Sequence, residues 1–389
     1  MRTRLYNMLA FLLGFAAVGL VAAFALAVFA PDVADRIRGS GSGRPDAHMA
    51  RGPVSYADAV AHASPAVVNI YANKITTYRR IYQIPNLTQR LLQYVPGPVL
   101  KRRDQSLGSG VVFSSEGYVL TNNHVISGAD DIQIALDDGR VAQAQVIGSD
   151  AETDLAVLKI DVGDLPAIDI PDTPRAEVGD VVLAIGNPVG LGKTVTMGIV
   201  SATGRQLKVS AYEDFIQTDA AINAGNSGGA LVNALGELIG INTAIYPRAP
   251  GADGRGTTVQ GTEGIGFAIP VATAKAVLDQ ILRNGRVIRG WIGADYTDVP
   301  QRNASALRSG GALLMRVVPD SPAAQAGLLA GDVLLKLDGT AIVDQADLRG
   351  REAALAPGTT IRVEGLRGDR PFEVDLVLAE RPAPSTTGA

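Results

Sequence analysis

Gly225-Asn226-Ser227-Gly228-Gly229 sets one serine among glycines. A serine hydroxyl becomes a nucleophile when a neighbouring base takes its proton. A glycine-rich turn lets nearby backbone amides converge on one point, so Gly225 and Ser227, with Asn226 between them, are expected to hold an oxyanion. Losing one such donor typically costs about 10²–10³ in rate. The stretch satisfies G-x-S-x-G, whose usual partners follow in the order Ser, acid, His. The three histidines, His48, His62 and His124, all precede Ser227, so that order is excluded and His, acid, Ser remains. His48 falls in a glycine-rich stretch and reads as solvated. His62 lies on an alanine-rich helical segment and reads as surface or packing. His124, in Thr121-Asn122-Asn123-His124-Val125 just past a strand, is the candidate general base. Asp150 and Asp154 lie between it and the serine. Asp154 opens the apolar run Leu155-Ala156-Val157-Leu158, which suits a shielded carboxylate that fixes an imidazole tautomer. Asp150, after Gly148-Ser149, reads as a turn residue. Asp219 could select a basic substrate side chain. Its small neighbours Ala220, Ala221 and Ile222 favour a structural role and a small apolar side chain beside the cleaved bond.

The elements that must position these groups are mostly strands. Ile132, Ile134 and Leu136 alternate with polar or small residues before the turn Asp138-Gly139, and Glu116-Gly117 separates two further strand signals. Val181-Val182-Leu183-Ala184 reads as a fully buried strand. Ser55-Tyr56-Ala57-Asp58 has capping-box spacing ahead of a short helix that should stop before Pro65. A helix follows Pro270, with Ala274, Val277, Leu278, Ile281 and Leu282 on one face and Gly285 as its C-terminal cap. Many short strands with glycine turns indicate a mainly β fold, a barrel or a sandwich. A second unit, from about Val287, offers strands over Ala312–Val318, Val333–Leu337, Thr360–Leu366 and Phe372–Leu378. Its helix signals are Pro322–Ala326 and Gln345–Ala354. Asn73–Ser106 reads as a long basic loop, carrying Arg79, Arg80, Lys101, Arg102 and Arg103, and Tyr246–Gly264 as a second long loop.

Met8 to Ala30 carries no charge and, as a helix, would span roughly 35 Å, enough for the bilayer core. Its length favours an uncleaved anchor over a cleaved leader ending near Ala25-Leu26-Ala27. Arg2 and Arg4 ahead of it place the N-terminus in the cytoplasm and the rest outside. The domains expected are an anchor over 1–30, a linker over 31–54, a catalytic domain over 55–286, a second domain over 287–380 and a loose tail over 381–389. Among 389 residues, 35 basic and 39 acidic side chains give a net charge of −4, which argues against nucleic acid as a partner. The chain has no cysteine, which excludes disulfides, thiolate metal sites and cysteine nucleophiles. Neither H-E-x-x-H nor a phosphate-binding loop occurs, so no metal or cofactor is expected.

Thr121–Val125, Thr153–Ile160 and Ile216–Leu231 resemble the HtrA-type serine proteases, and the resemblance runs from about Tyr56 to Ala379. One anchor, one C-terminal domain and the junction Gly285-Arg286-Val287-Ile288-Arg289-Gly290 make it most like the DegS-type branch. The resemblance implies a chymotrypsin-like fold of two six-stranded β-barrels followed by an α+β PDZ domain, with His124, Asp154 and Ser227 as the triad. Ala224 stands where the wider family has proline. Arg289-Gly290-Trp291-Ile292-Gly293 resembles the family's carboxylate-binding loop, so Trp291, Ile292 and Gly293 would capture a peptide's C-terminus. Arg205, in the linking loop Ser201–Asp214, matches the family's sensor arginine. The implied protein is a homotrimeric serine endopeptidase, tethered to the bacterial inner membrane with its catalytic part in the periplasm. C-terminal peptides of misfolded proteins would activate it to cut a membrane regulator such as an anti-sigma factor. The alternatives are a broad quality-control protease of the DegP or DegQ type and a PDZ scaffold with an inactive barrel.

Overall fold

The computed structural model describes residues 55–382 except 87–90, 188–191, 208–209, 211, 224, 244–263 and 301–309. The expected anchor, the linker as far as Val54, residues 383–389 of the tail, Ala224 and nearly all of the second long loop lie outside the described residues. Among the described residues, no helix is long and apolar enough to cross a membrane.

Helix α1 (Ala57–Ala63) stops before Pro65 as expected, and its N-cap is Tyr56, one residue past the serine that opens the capping-box spacing. A single 3₁₀ turn, Ser64–Ala66, leads into the first sheet. That sheet contains β1 (Val67–Asn86), β2 (Leu91–Val112), β3 (Tyr118–Thr121), β4 (Asp131–Ala135), β5 (Val141–Gln143), β6 (Gln145–Asp150) and β7 (Leu155–Lys159), in the order β5-β4-β1-β2-β3-β7-β6. Its two outer strands are halves of one segment broken only at Ala144, whose N–H still donates to Ile132 O at 2.9 Å. The sheet therefore curls round on itself, with seven strands where six were expected. Val68, Ile70, Val119, Ile134, Ala156 and Leu158 fill its interior. The expected loop between Asn73 and Ser106 is instead paired ribbon, from Lys74 opposite Asp104 to Asn86 opposite Leu91, with one register shift between Arg79 and Ile81. Residues 74–79 are exposed throughout, so no one-sided burial marks them as strand.

The second sheet is a closed barrel of β8 (Val181–Gly186), β9 (Thr194–Arg205), β10 (Phe215–Thr218), β11 (Ala230–Asn233), β12 (Leu238–Thr243) and β13 (Gly266–Pro270). β9 extends to Arg205, so the first part of the expected linking loop is strand. β8 is buried on both faces. Val182 and Ala184 fill this barrel, while Leu183 and Ile185 join Val111, Leu120 and Leu155 of the first sheet in a shared core. Helix α3 (Val271–Asn284), capped by Gly285 in the left-handed region, adds Ala274, Val277, Leu278 and Ile281 to that core. Leu282, expected on the same face, is exposed because it lies one residue past the stripe.

β14 (Gly290–Trp291) pairs with β21 (Ala379–Glu380). β15 (Ala294–Asp298), β16 (Ala312–Val317), β17 (Asp332–Leu337), β19 (Thr360–Arg367) and β20 (Arg370–Val377) form the remaining sheet, with β18 (Thr340–Ala341) on β17. Helices α4 (Pro322–Gln325) and α5 (Gln345–Ala354) cover it. Asp344 caps α5 by accepting from the Ala346 and Asp347 amides.

Candidate active site

His124 leaves β3 on the one-turn helix α2 (Asn123–Ile126), whose Val125 and Ile126 are buried and fix its direction. Its Nδ1 lies 2.7 Å from Asp154 Oδ2, and its own N–H donates to Asp154 Oδ1 at 2.9 Å. Asp154 has a left-handed backbone, φ 56°. Aspartate tolerates that region better than most residues, and such strain persists where neighbours over-determine it. The neighbours here are Asn123 N–H and Asn122 Nδ2, both donating to Asp154 O at 3.1 and 3.0 Å. The carboxylate is 13% exposed and the imidazole 45%, so the pair has one shielded end and one open end. Thr243, closing β12 of the other barrel, donates its hydroxyl to Asp154 Oδ2 at 3.3 Å.

Ser109 ties the serine loop to this pair. Its N–H donates to Ser227 O at 2.9 Å and its hydroxyl donates to Gly225 O at 2.7 Å. Its carbonyl accepts from the Thr121 hydroxyl at 2.8 Å, at the end of the strand that delivers His124. Gly228, φ 83°, packs into this seam: a Cβ there would fall 2.1 Å from Ser109 O and 2.3 Å from Thr121 Oγ1. Only glycine satisfies both the angle and the approach. Asn226 departs from its expected place in the oxyanion set. Its N–H donates to Asn223 O at 3.0 Å, closing the turn, while its side-chain Nδ2 faces Ala221 O. Asp219 has the structural role expected of it, accepting the Ile199 N–H at 2.7 Å.

At the start of the second unit, Trp291 pairs with Ala379. The Ile292 N–H donates to Glu352 Oε2 at 3.2 Å, and Gly293 O accepts from Val318 N–H and the Ser321 hydroxyl at 2.9 and 3.0 Å. Gly293, φ 87°, is pressed so closely on Ser321 that a Cβ would fall 2.1 Å from Ser321 Cβ. Among the described residues, no group of three or more His, Asp or Glu side chains is placed to hold a metal ion.

A trypsin-like peptidase domain is matched over residues 108–241 and a PDZ domain over 290–378. The solved structure of the HtrA-type protease AlgW with decapeptide superposes with a TM-score of 0.69 at 46% identity, covering 85% of this chain and 100% of that one. The serine endoprotease DegS of Escherichia coli (strain K12) is 42% identical over 336 residues, 85% of this chain and 87% of DegS. The chain belongs to the HtrA-type serine endoproteases. A probable periplasmic serine endoprotease, DegP-like, of Marinomonas sp. (strain MWYL1) is 40% identical over 345 residues, 84% of this chain and 71% of that protein.

In this HtrA-type protease the peptidase and PDZ domains share a charged seam that sequence reading missed. Arg289 NH1 donates to Asp150 Oδ1 at 3.0 Å and its NH2 to Asp150 Oδ2. The Thr153 hydroxyl donates to the same carboxylate at 2.5 Å. Glu152 accepts from Arg289 at 3.4 Å and from Arg381 at 2.9 Å. Both guanidiniums lie over the Tyr212 ring, 4.4 and 5.3 Å from its centroid, and burial pushes the phenol up to about 12. Asp150, expected at an ordinary turn, is thus a buried interdomain anchor. The Arg205 Nε donates to Gln217 Oε1 at 2.9 Å.

Proposed function

We propose that this chain is a membrane-tethered periplasmic serine endopeptidase that a C-terminal peptide at its PDZ domain switches on. His124, Asp154 and Ser227 are its triad. Ser227 Oγ adds to the substrate's carbonyl carbon while His124 Nε2 takes its proton and passes it to the leaving amine. Asp154 holds the Nδ1–H and stabilises the imidazolium. The acyl-enzyme is then cleared by a water that His124 deprotonates in turn. The amides of Gly225 and Ser227 receive the oxyanion. Residues 8–30 anchor the chain, three copies assemble, and the substrate is a membrane regulator such as an anti-sigma factor. Trp291, Ile292 and Gly293 form the site for the peptide's carboxylate, and Arg205 relays its occupancy.

The observation that carries this reading is the buried Arg289–Asp150 pair, since the loop it grips, Asp150 to Asp154, ends in the carboxylate that orients His124. A direct hydrogen-bonded contact therefore joins the start of the PDZ domain to the segment that carries Asp154. The test is cleavage of anti-sigma-factor periplasmic domains and of unfolded casein by the full chain in detergent. Each is run with and without decapeptides bearing free C-termini, with Ser227→Ala as the blank. A Ser227-dependent rate that rises several-fold with peptide is expected. A high rate indifferent to peptide would make it a quality-control protease, and no Ser227-dependent rate would make it a scaffold.

A further inference from the structure

Glu352 is an ionisable residue that the catalytic reading leaves unused. It lies on α5 with 1% of its surface exposed, inside the PDZ domain. Its Oε1 accepts the Tyr296 hydroxyl at 2.7 Å, and its Oε2 accepts the Ile292 N–H at 3.2 Å. That amide belongs to the loop assigned to a peptide's terminal carboxylate. α5 and β15, which carry Glu352 and Tyr296, border a cavity of about 860 Å³ lined by Thr297, Ala346, Arg349 and Ala353, with Tyr212 and Glu213 from the peptidase side. β15 is the outermost strand of its sheet among the described residues, the position where an extended peptide adds as a further strand. An internal carboxylate thus occupies an amide where an external one is to bind.

We propose that Glu352 is a proton-coupled gate on the PDZ carboxylate site: ionised, it holds the Ile292 amide and repels the incoming peptide carboxylate; protonated, it releases both constraints. The proposal rests on the reading of Trp291–Gly293 as the carboxylate loop. Two carboxylates competing for one amide, one of them only 1% exposed, cannot both ionise cheaply, so one takes up a proton. Burial already pushes Glu352 up to about 7, against the opposing pull of the Tyr296 hydroxyl, the Ile292 amide and the guanidiniums of Arg381 and Arg349. The charged or titratable groups facing it are Tyr296 from β15, Arg349 from α5 itself, Arg381 beyond β21 and Tyr212 from the peptidase domain. A bound peptide carboxylate raises the Glu352 value further. Affinity for a free-acid peptide therefore strengthens as pH falls, by up to about tenfold per unit, and levels off below about 7.

The test is fluorescence anisotropy of the full chain in detergent at pH 6 to 9. The probes are fluorescein-labelled decapeptides ending in three apolar residues, as free acids and as C-terminal amides. Wild type is expected to show the rise for the acid and none for the amide. Glu352→Gln, with its fold checked by circular dichroism, is expected to bind the acid at every pH with about the wild-type affinity at pH 6. Tyr296→Phe removes a donor that favours the ionised form, so it should move the wild-type profile to higher pH even if Glu352→Gln misfolds. A free-acid preference whose pH profile is the same in wild type and both variants overturns the gate while leaving the carboxylate loop standing. Acid and amide binding alike, in all three proteins at every pH, overturns the loop reading and the gate with it.

Discussion

Asp154 receives three side-directed hydrogen bonds, and they differ in what they do. The one at 2.7 Å to His124 Nδ1 selects the tautomer that leaves Nε2 free to take a proton, whereas the one from Thr243 at 3.3 Å only helps aim the carboxylate. Asp154→Asn keeps the shape but offers the imidazole the wrong partner, so kcat should fall by about 10⁴ with KM little changed. Thr243→Val removes a single neutral donor worth roughly 0.5–1.5 kcal/mol, a loss in kcat of about two- to thirteenfold. Steady-state kinetics on peptide-activated enzyme separates the two, and an Asp154→Asn enzyme retaining a tenth of wild-type kcat would remove Asp154 from the triad. The His124–Asp154 contact was legible because each residue stands at a strand end, His124 just past β3 and Asp154 just ahead of β7. Ser109 and Thr243 were not, since each acts across the interface between barrels and neither sits in a motif. The signal available was weak: in Thr243, a polar residue closing the buried strand Leu238–Thr243.

Among the elements, those with one buried face or a strong turn were readable in advance. α5 runs over the expected residues, and α3 ends at the expected glycine. The β1–β2 ribbon was not readable, because a run such as residues 74–79, exposed on both faces, has no one-sided burial to betray it. Nor was the burial of Glu352, which tertiary contacts impose on a residue that helix periodicity leaves polar. That burial has a consequence for the stability of the PDZ domain. The ordinary value of 4.5 is raised to about 7 in the folded state, so between those limits the folded chain binds more protons than the unfolded one. Stability should fall as pH rises from about 4.5 to 7 and be level above, a span on the order of 3 kcal/mol. Thermal melts of wild type and Glu352→Gln at pH 5 and 7.5 should show the variant gaining relative to wild type at the higher pH. An unchanged difference between the two proteins would mean that Glu352 is ionised throughout.

At the scale of the whole molecule, the decisive feature is the charged seam through which the peptidase and PDZ domains meet. The Arg289 and Asp150 side chains are 9% and 8% exposed, so the seam has few waters to replace a lost partner. Removing one partner from such a pair typically costs about 3–5 kcal/mol, because the other is left buried and uncompensated. A seam of that kind transmits displacement well: moving Arg289 drags Asp150, and the segment from Asp150 to Asp154 is too short to absorb the shift. If peptide capture acts on the triad along this route, Arg289→Met and Asp150→Asn should each bring the ratio of peptide-stimulated to basal cleavage toward one, whatever happens to either rate alone. The double variant should fall no further than the single ones, since all three remove the same link. Peptide affinity of Asp150→Asn, measured separately by anisotropy, should stay near wild type, because Asp150 lies on β6 of the peptidase domain and outside the carboxylate loop. Should both variants keep the full ratio, the signal would have to travel by the Arg205–Gln217 side of the barrel instead, and the ion pair would be a structural clamp between domains.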